Sequence, residues 1–263
     1  MNNIYGIDTN HHHPVTNWNS VKNYLASKNI SITPGFVMVR LGYSSTTTGN
    51  GGLCLDRIAL DSLKQCNALK IPVGVYVYSY DHSPSAAIKT MNEAMNILKN
   101  YTIDYPVVYD IEYEPFNRKC GKDMNTAIVM AAMNVIEKAG YYGMIYASRD
   151  FFKNYLHKDM IKNYDKWEAA YTAKDSSDVS NGIWQFSSKG VVPGITGNVD
   201  LNVSYRDYKT IIEKAGLNGK RKNNVSASPV LYDITIKNIS KGDCDSFLKL
   251  AEKLKITATT TTH

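Results

Sequence analysis

A closed but irregular (β/α) barrel of the TIM type, an α/β fold with a small C-terminal β-α-β appendage, is what the sequence predicts. Three observations lead there. Short apolar runs alternate with amphipathic stretches from the start of the chain, which argues for a parallel sheet covered by helices. About eight such runs fall within some 215 residues, the size of one closed barrel. The helical pattern then fades in the last third, so roughly five β/α units followed by three further strands are expected.

In chain order, the first five strands are expected at residues 4–8, 36–40, 73–80, 106–112 and 142–146. Helices at 18–28, 56–70, 85–100, 123–139 and 149–156 lie between and after them. Residues 166–171, 182–186 and 198–201 are strand-like, with loops between them, and a helix at 205–215 ends at Gly216. An open, doubly wound sheet is the alternative architecture. It would bind a nucleotide at a glycine-rich first turn, whereas the first strand here runs into Asp8-Thr9-Asn10-His11 without a GxGxxG. Residues 1–217 are therefore read as the barrel domain and 218–229 as a linker of Asn, Lys, Ser and Pro. Residues 230–237 alternate like a strand, 243–255 repeat apolar residues at Phe247, Leu248, Leu250, Ala251 and Leu254 like a helix, and 256–262 are β-branched. A piece of this size, 230–263, buries too little to be stable alone and is expected to pack on the barrel, a second copy or a partner. Its strand edges suit pairing in trans.

Bulk composition narrows the function. The net charge of +6 is mild, and part of it sits in Lys220-Arg221-Lys222. A nucleic-acid binder would concentrate basic residues on one face, so no nucleic-acid partner is expected; an anionic polymer suits the balance. No run is long enough for membrane insertion. Cys54, Cys66, Cys120 and Cys244 are scattered without a CxxC pair, as expected of reduced thiols in a protein made in the cytosol, and Cys244 is expected to be a small buried apolar residue. No signal peptide is visible at Met1-Asn2-Asn3, so an extracellular substrate would require another agent to breach the membrane. The 19 tyrosines offer flat apolar faces with polar tips, a shape that suits sugar rings, although packing accounts for most of them.

The informative strand is Tyr105-Pro-Val-Val-Tyr-Asp110-Ile-Glu112. Alternation puts Asp110 and Glu112 on one face at the C-terminal end of an apolar strand. Like charges held close raise one pKa, and a carboxyl that keeps its proton near neutrality can act as an acid. In a barrel that end is where active sites lie. Asp8 ends the first strand and Asp200 the last, and closure makes those strands neighbours. Other strand ends supply Arg40, Tyr76, Tyr78, Tyr146, Tyr171 and the pair Trp184-Gln185 as substrate-binding candidates. Four carboxylates among aromatics and one arginine have the composition of a sugar-cleaving cleft.

These residues resemble glycoside hydrolase family 25, the Chalaropsis-type lysozymes found among phage endolysins and bacterial autolysins. The matching elements are Gly6-Ile-Asp8 with Trp18, Val39-Arg-Leu-Gly-Tyr43, Val73-Gly-Val-Tyr76-Val-Tyr78 and Val108-Tyr-Asp110-Ile-Glu112. Trp167-Glu-Ala-Ala-Tyr171, Trp184-Gln185 and Gly197-Asn-Val-Asp200-Leu-Asn202 complete the set, covering about residues 3–210. The resemblance implies cleavage of the β-1,4 bond between N-acetylmuramic acid and N-acetylglucosamine of bacterial peptidoglycan, with retained configuration. It makes Glu112 the general acid and Asp110 the group that stabilises charge at the anomeric carbon or orients the N-acetyl group. Asp8 and Asp200 support that pair, and no metal or organic cofactor is implied. Endolysin architecture adds wall binding or self-association for 230–263, and holin-type passage to the wall. Thr9-Asn-His-His-His-Pro14 and Tyr78-Ser-Tyr80-Asp-His82 depart from the family pattern at the cleft mouth.

Two other readings compete. A glycan-binding module without catalysis is disfavoured because all four acids are present. His11-His12-His13 invites a zinc-dependent amidase, but adjacent histidines diverge and do not readily share one tetrahedral ion, so a surface loop is expected.

Overall fold

The computed structural model describes residues 3–29, 34–45, 49–172 and 182–220, with helical positions 241, 244, 245 and 248 beyond them. The chain divides into two compact units, Met1–Asn223 and Asn224–His263. In the second unit the described positions fall in or beside the helix expected at 243–255, and Cys244 is half-buried rather than buried. The strands expected at 230–237 and 256–262, and residues 221–229 of the expected linker, lie outside the described residues.

The first unit runs β1 (Ile4–Thr9), α1 (Trp18–Lys28), β2 (Phe36–Ser44), β3 (Leu53–Leu55), α2 (Ala59–Leu69), β4 (Val73–Tyr78), α3 (Pro84–Leu98) and β5 (Val107–Asp110). It continues with α4 (Glu114–Lys138), β6 (Gly143–Ser148), α5 (Arg149–Asn154), β7 (Asp165–Ala169), β8 (Ile183–Gly190), β9 (Val199–Ser204) and α6 (Tyr208–Ala215). Eight strands close a ring in the order β1-β2-β4-β5-β6-β7-β8-β9, and β3 adds to β2 outside it. Five β/α units followed by three strands, as expected, make up the ring. Pairings from β1 through β2 and β4 to β8 are parallel, whereas β9 is antiparallel to both β8 and β1. The antiparallel step from β8 to β9 needs no crossover helix, which is the physical reason no helix is required between those two strands.

Alternation along the strands separates two apolar layers. Phe36, Met38, Tyr105, Val108, Met144 and Trp167 fill the ring. Ile7, Val39, Val75, Tyr109 and Ile145 face outward against Val21 and Leu25 of α1, Leu63 of α2, Met91 of α3 and Val129 of α4. Phe36 stacks on Tyr105 with ring centroids 4.5 Å apart, and it has room because position 6 is glycine: a Cβ there would come within 2.5 Å of the Phe36 ring. The N-terminal half of the barrel is a packed core, and polar side chains collect at the opposite rim.

Three local expectations are corrected. Helix α4 begins at Glu114 rather than near 123, because a separate helical piece precedes a break at Gly121, whose φ of 83° is open to glycine. Strand β5 stops at Asp110, so Glu112 lies in the turn leading to α4. Ile111 N–H still donates to Tyr146 O at 3.0 Å, which keeps the chain extended and the alternation intact. Asp200 stands near the start of its strand, not the end, and reaches the rim because β9 runs backwards.

The barrel also extends past Gly216. Asn218 adopts φ 55°, its Nδ2 donates to Ile103 O and Tyr105 O at 3.2 and 2.9 Å, and its Oδ1 accepts from Tyr142 N–H at 2.8 Å. Lys220 pairs with Asp104 at 2.8 Å. Replacing Asn218 with alanine leaves buried backbone groups unpaired and places a residue less tolerant of positive φ there. Asn218→Ala is expected to lower the unfolding free energy by about 3 kcal/mol in denaturant titration; a change under about 0.5 kcal/mol would show that this turn does not hold the barrel.

Candidate active site

Ring closure sets the register Asp8 opposite Asp200. Asp110 at the end of β5 and Glu112 beyond it face the same mouth. The four acids line a cleft of about 150 Å³ together with Asn10, Arg40, Tyr76, Tyr78, Tyr146, Trp167 and Gln185. Of the candidates named from the sequence, two sit elsewhere. Tyr171 is 58% exposed at the rim and reaches inward only through its hydroxyl, which donates to Gln185 Oε1 at 3.0 Å. Trp184 does not line the cleft. Alternation along β8 turns Gln185 inward and Trp184 outward, where its Nε1 donates to Ala170 O at 2.8 Å and its ring lies 5.6 Å from Phe186.

A chain of oriented hydrogen bonds holds Asp8. Its Oδ2 accepts from Gln185 Nε2 at 2.9 Å and from Asn202 Nδ2 at 2.8 Å. Gln185 Oε1 accepts from the hydroxyl of Tyr146 at 2.9 Å, and Asn202 Oδ1 accepts from Trp167 Nε1 at 2.7 Å. Because the indole N–H can only donate, Asn202 is forced to present nitrogen to Asp8, and Gln185 does the same with the Tyr146 hydroxyl as its donor. Asn202 was not among the sequence candidates, although it lies two residues after Asp200 and so shares its face. Asn10, whose Nδ2 donates to Tyr76 OH at 3.2 Å, follows the first strand and carried no periodic signal.

Burial dominates the electrostatics. It is the main cause that pushes Asp8 up to about 8, with the charge of Asp200 second and the amide hydrogen bonds opposing. Burial, then the charges of Glu112 and Asp8, raises Asp110 well above the usual carboxylate range. Its Oδ1 has no hydrogen-bond partner among the described residues. Glu112 is pushed up to about 7, again by burial first, then by Asp200 and Glu114. Burial also raises Asp200, with His13 opposing.

The nearest cation does little to relieve this. Arg40 donates through Nε to Asp56 Oδ2 at 2.9 Å and places its Nη2 2.8 Å from the same oxygen. Burial would raise Asp56, but the Ile58 N–H, His11 and Arg40 together hold its carboxyl below the usual range. His11 Nδ1 lies 2.9 Å from Asp56 and 2.7 Å from Arg40 Nη2, so this histidine belongs to the arginine's anchoring. His12 packs over it at 4.0 Å. Among the described residues no group of three or more His, Cys, Asp and Glu is arranged to hold a metal ion, and no helix is long and apolar enough to cross a membrane.

A barrel whose rim gathers four acids among aromatic rings has the composition of a glycoside-cleaving site. The chain belongs to glycosyl hydrolases family 25: the model of that family matches residues 7–195. That membership displaces the amidase alternative. Among solved structures, the chain is similar to the modular autolysin LytC from Streptococcus pneumoniae, with 28% identity and a TM-score of 0.64 over 77% of this chain and 47% of that one. LytC has also been solved in complex with a synthetic peptidoglycan ligand. The present chain thus spans about half the length of that autolysin. The bacterial lysozyme from Streptomyces coelicolor shares the fold at 18% identity and TM-score 0.60, covering 84% of this chain and 97% of that one. So does the catalytic domain of endolysin ply40 from bacteriophage P40 of Listeria monocytogenes, at 20% identity and TM-score 0.58, with 81% and 97% covered. No curated protein matches the chain significantly.

The raised carboxyls make stability depend on pH in a defined direction. The folded state keeps protons on Glu112 and Asp8 that the unfolded chain, with ordinary values of 4.5 and 3.8, has already released. Their contribution is therefore fully present below those ordinary values and is lost as pH rises through about 7 and about 8. Tm is expected to fall across this window, and Glu112→Gln to flatten the fall and raise Tm at the alkaline end. Identical pH–Tm curves for the two proteins would contradict the burial of this charge.

Proposed function

We propose that the protein is a muramidase that hydrolyses the β-1,4 bond between N-acetylmuramic acid and N-acetylglucosamine in bacterial peptidoglycan, with Glu112 as general acid. One observation carries the reading: Glu112 faces the cleft with its carboxyl lifted to about 7, so it holds a transferable proton at neutral pH. The likeness to LytC, the lysozyme and the endolysin supports peptidoglycan as the polymer.

The proton arrangement follows from the contacts. Asp8, pushed up to about 8, keeps its proton at neutral pH and hydrogen-bonds Asp200, and negative charge on Asp200 favours the neutral form of Glu112. With Glu112 neutral, the foremost like charge acting on Asp110 is removed. An acetamido N–H of the sugar hydrogen-bonded to the Asp110 carboxyl would then favour its carboxylate form once substrate is bound. Glu112 protonates the departing glycosidic oxygen. Asp110 meets the positive charge at the anomeric carbon, or aligns the acetamido group against it, and water then adds to that carbon while giving a proton back to Glu112. Tyr146 and Tyr76 hold the walls.

Glu112→Gln is expected to lower turnover about 10²–10⁴-fold while binding is retained. In the wild type, activity should decline as pH rises through about 7. Unimpaired lysis of purified walls by Glu112→Gln would remove the acid role. Mass analysis of released muropeptides tests the bond itself: new reducing ends are expected on muramic acid, and new ends on glucosamine would redirect the assignment.

We place the site of action at the cell wall, reached by holin-type passage, and assign wall binding or self-association to the C-terminal segment that follows the barrel. A monomer mass for the full chain in light scattering would eliminate self-association. Cosedimentation with purified walls tests the remaining role.

A further inference from the structure

Beside the cleft lies a group of aromatic rings that the chemistry above leaves without a role. Tyr78, the last residue of β4, lines the cleft. Its ring lies 4.9 Å from Tyr80, which is 6.3 Å from Tyr43 near the end of β2 and 4.7 Å from Tyr113, the residue capping α4. The ends of three adjacent strands therefore bring four half-buried tyrosines together on one side of the mouth.

Inside the barrel, aromatic pairs are edge-on or stacked: Tyr76 and Tyr146 meet Trp167 at 84° and 68°. Phe36 and Tyr105 stack at 12° inside the barrel and cover each other's faces. The tyrosines at the mouth meet at 87°, 71° and 52°, edge-on or tilted contacts, and the Arg40 guanidinium lies over the Tyr43 ring, 5.8 Å from its centroid. Their hydroxyls have no hydrogen-bond partner among the described residues. The cleft phenols of Tyr76 and Tyr146, by contrast, are bonded to Asn10 and Gln185.

The turn that carries Tyr80 is also held rigidly. Asp81 is buried, and accepts from Tyr109 OH at 2.8 Å and from Thr90 Oγ1 at 2.9 Å. Its N–H donates to Ser79 Oγ at 3.1 Å, and Tyr80 N–H donates to Ser44 Oγ. Burying a carboxylate is costly, and here its bonds fix the turn that places the half-buried Tyr80 ring. Such preorganisation lowers the entropy lost on binding. The cleft of about 150 Å³ is small beside ordinary ligand pockets of about 300–1,000 Å³, so most of a polymeric substrate must lie outside it.

We infer that Tyr80, together with Tyr43 and Tyr113, forms a carbohydrate subsite that stacks a hexosamine ring of the glycan strand beyond those held at the cleft, giving a preference for long strands. The C–H face of a β-linked hexosamine matches a phenol ring, and its peripheral hydroxyl and acetamido groups match phenol hydroxyls without a partner among the described residues. The identity of the strand rests on the muramidase reading; the subsite itself is read by binding.

The test uses the full chain carrying Glu112→Gln, with calorimetric titration of a tetrasaccharide and an octasaccharide of alternating N-acetylglucosamine and N-acetylmuramic acid. Adding Tyr80→Ala is expected to weaken the octasaccharide about tenfold and leave the tetrasaccharide unchanged. Tyr80→Phe, which keeps the ring and the fold, should lose less. Equal weakening of both oligomers, or of neither, overturns the subsite, as does a parent that binds neither. Incubating the wild-type chain with the octasaccharide answers the other question: an uncut octasaccharide refutes the muramidase reading, while the binding difference still decides the subsite.

Discussion

The reversed direction of the closing strand is the constraint on which the rest of this site depends. Were β9 parallel to its neighbours, position 200 near its start would fall at the packed N-terminal end, among Phe36 and Tyr105. Running antiparallel, β9 delivers Asp200 to the opposite rim and sets it directly across from Asp8. Asn202, two residues on, then points into the ring far enough to hold Asp8 in place while itself taking a hydrogen bond from Trp167. One topological choice thus supplies an acid, an acid's neighbour and an acid's positioner, and it does so from a six-residue strand.

That arrangement creates a surplus of negative charge that the protein does not neutralise. Arg40 lines the same cleft, yet its guanidinium is directed to Asp56 through two close contacts, with His11 alongside. The four acids at the mouth are left to one another, and burial forces protons onto some of them. Protonation here is the least costly response to crowding, and the same response produces an acid able to act at neutral pH.

Much of this was legible in the chain. Five β/α units and three strands follow from the spacing of apolar runs, and the acids at 8, 110, 112 and 200 stand out because charge at the end of an apolar strand is unfavourable without a use. What escaped has a physical reason. Trp184 adjoins Gln185, and a two-residue period allows only one of them to enter the barrel; composition alone does not say which. Asp56 bonds to Arg40 across 16 positions, a pairing set by the packing of the segment before α2, which leaves no periodic trace. Helix α4 starts early because Gly121 splits it into pieces with separate registers, and a single 3.6-residue period sees only the second. The role of Asn218 was hidden by its composition: Asn, Gly and Lys read as a linker whether or not their side chains reach back into the barrel.

Burial by itself does not distinguish the carboxylates that do chemistry from those that hold the fold. Asp56, Asp81 and Asp110 are all nearly inaccessible, at 2%, 1% and 3% exposure. Asp56 receives an arginine, a histidine and a backbone N–H, and stays ionised below the usual range. Asp81 receives two hydroxyl hydrogen bonds from Tyr109 and Thr90 and is raised by burial that those bonds only partly offset. Asp110 is left with a buried oxygen that has no hydrogen-bond partner among the described residues. The hydrogen bonds each carboxyl receives therefore rank the three from structural to reactive. Asp110 lines the cleft and is the least stabilised of these three buried acids, so it is the one that a bound substrate would stabilise most.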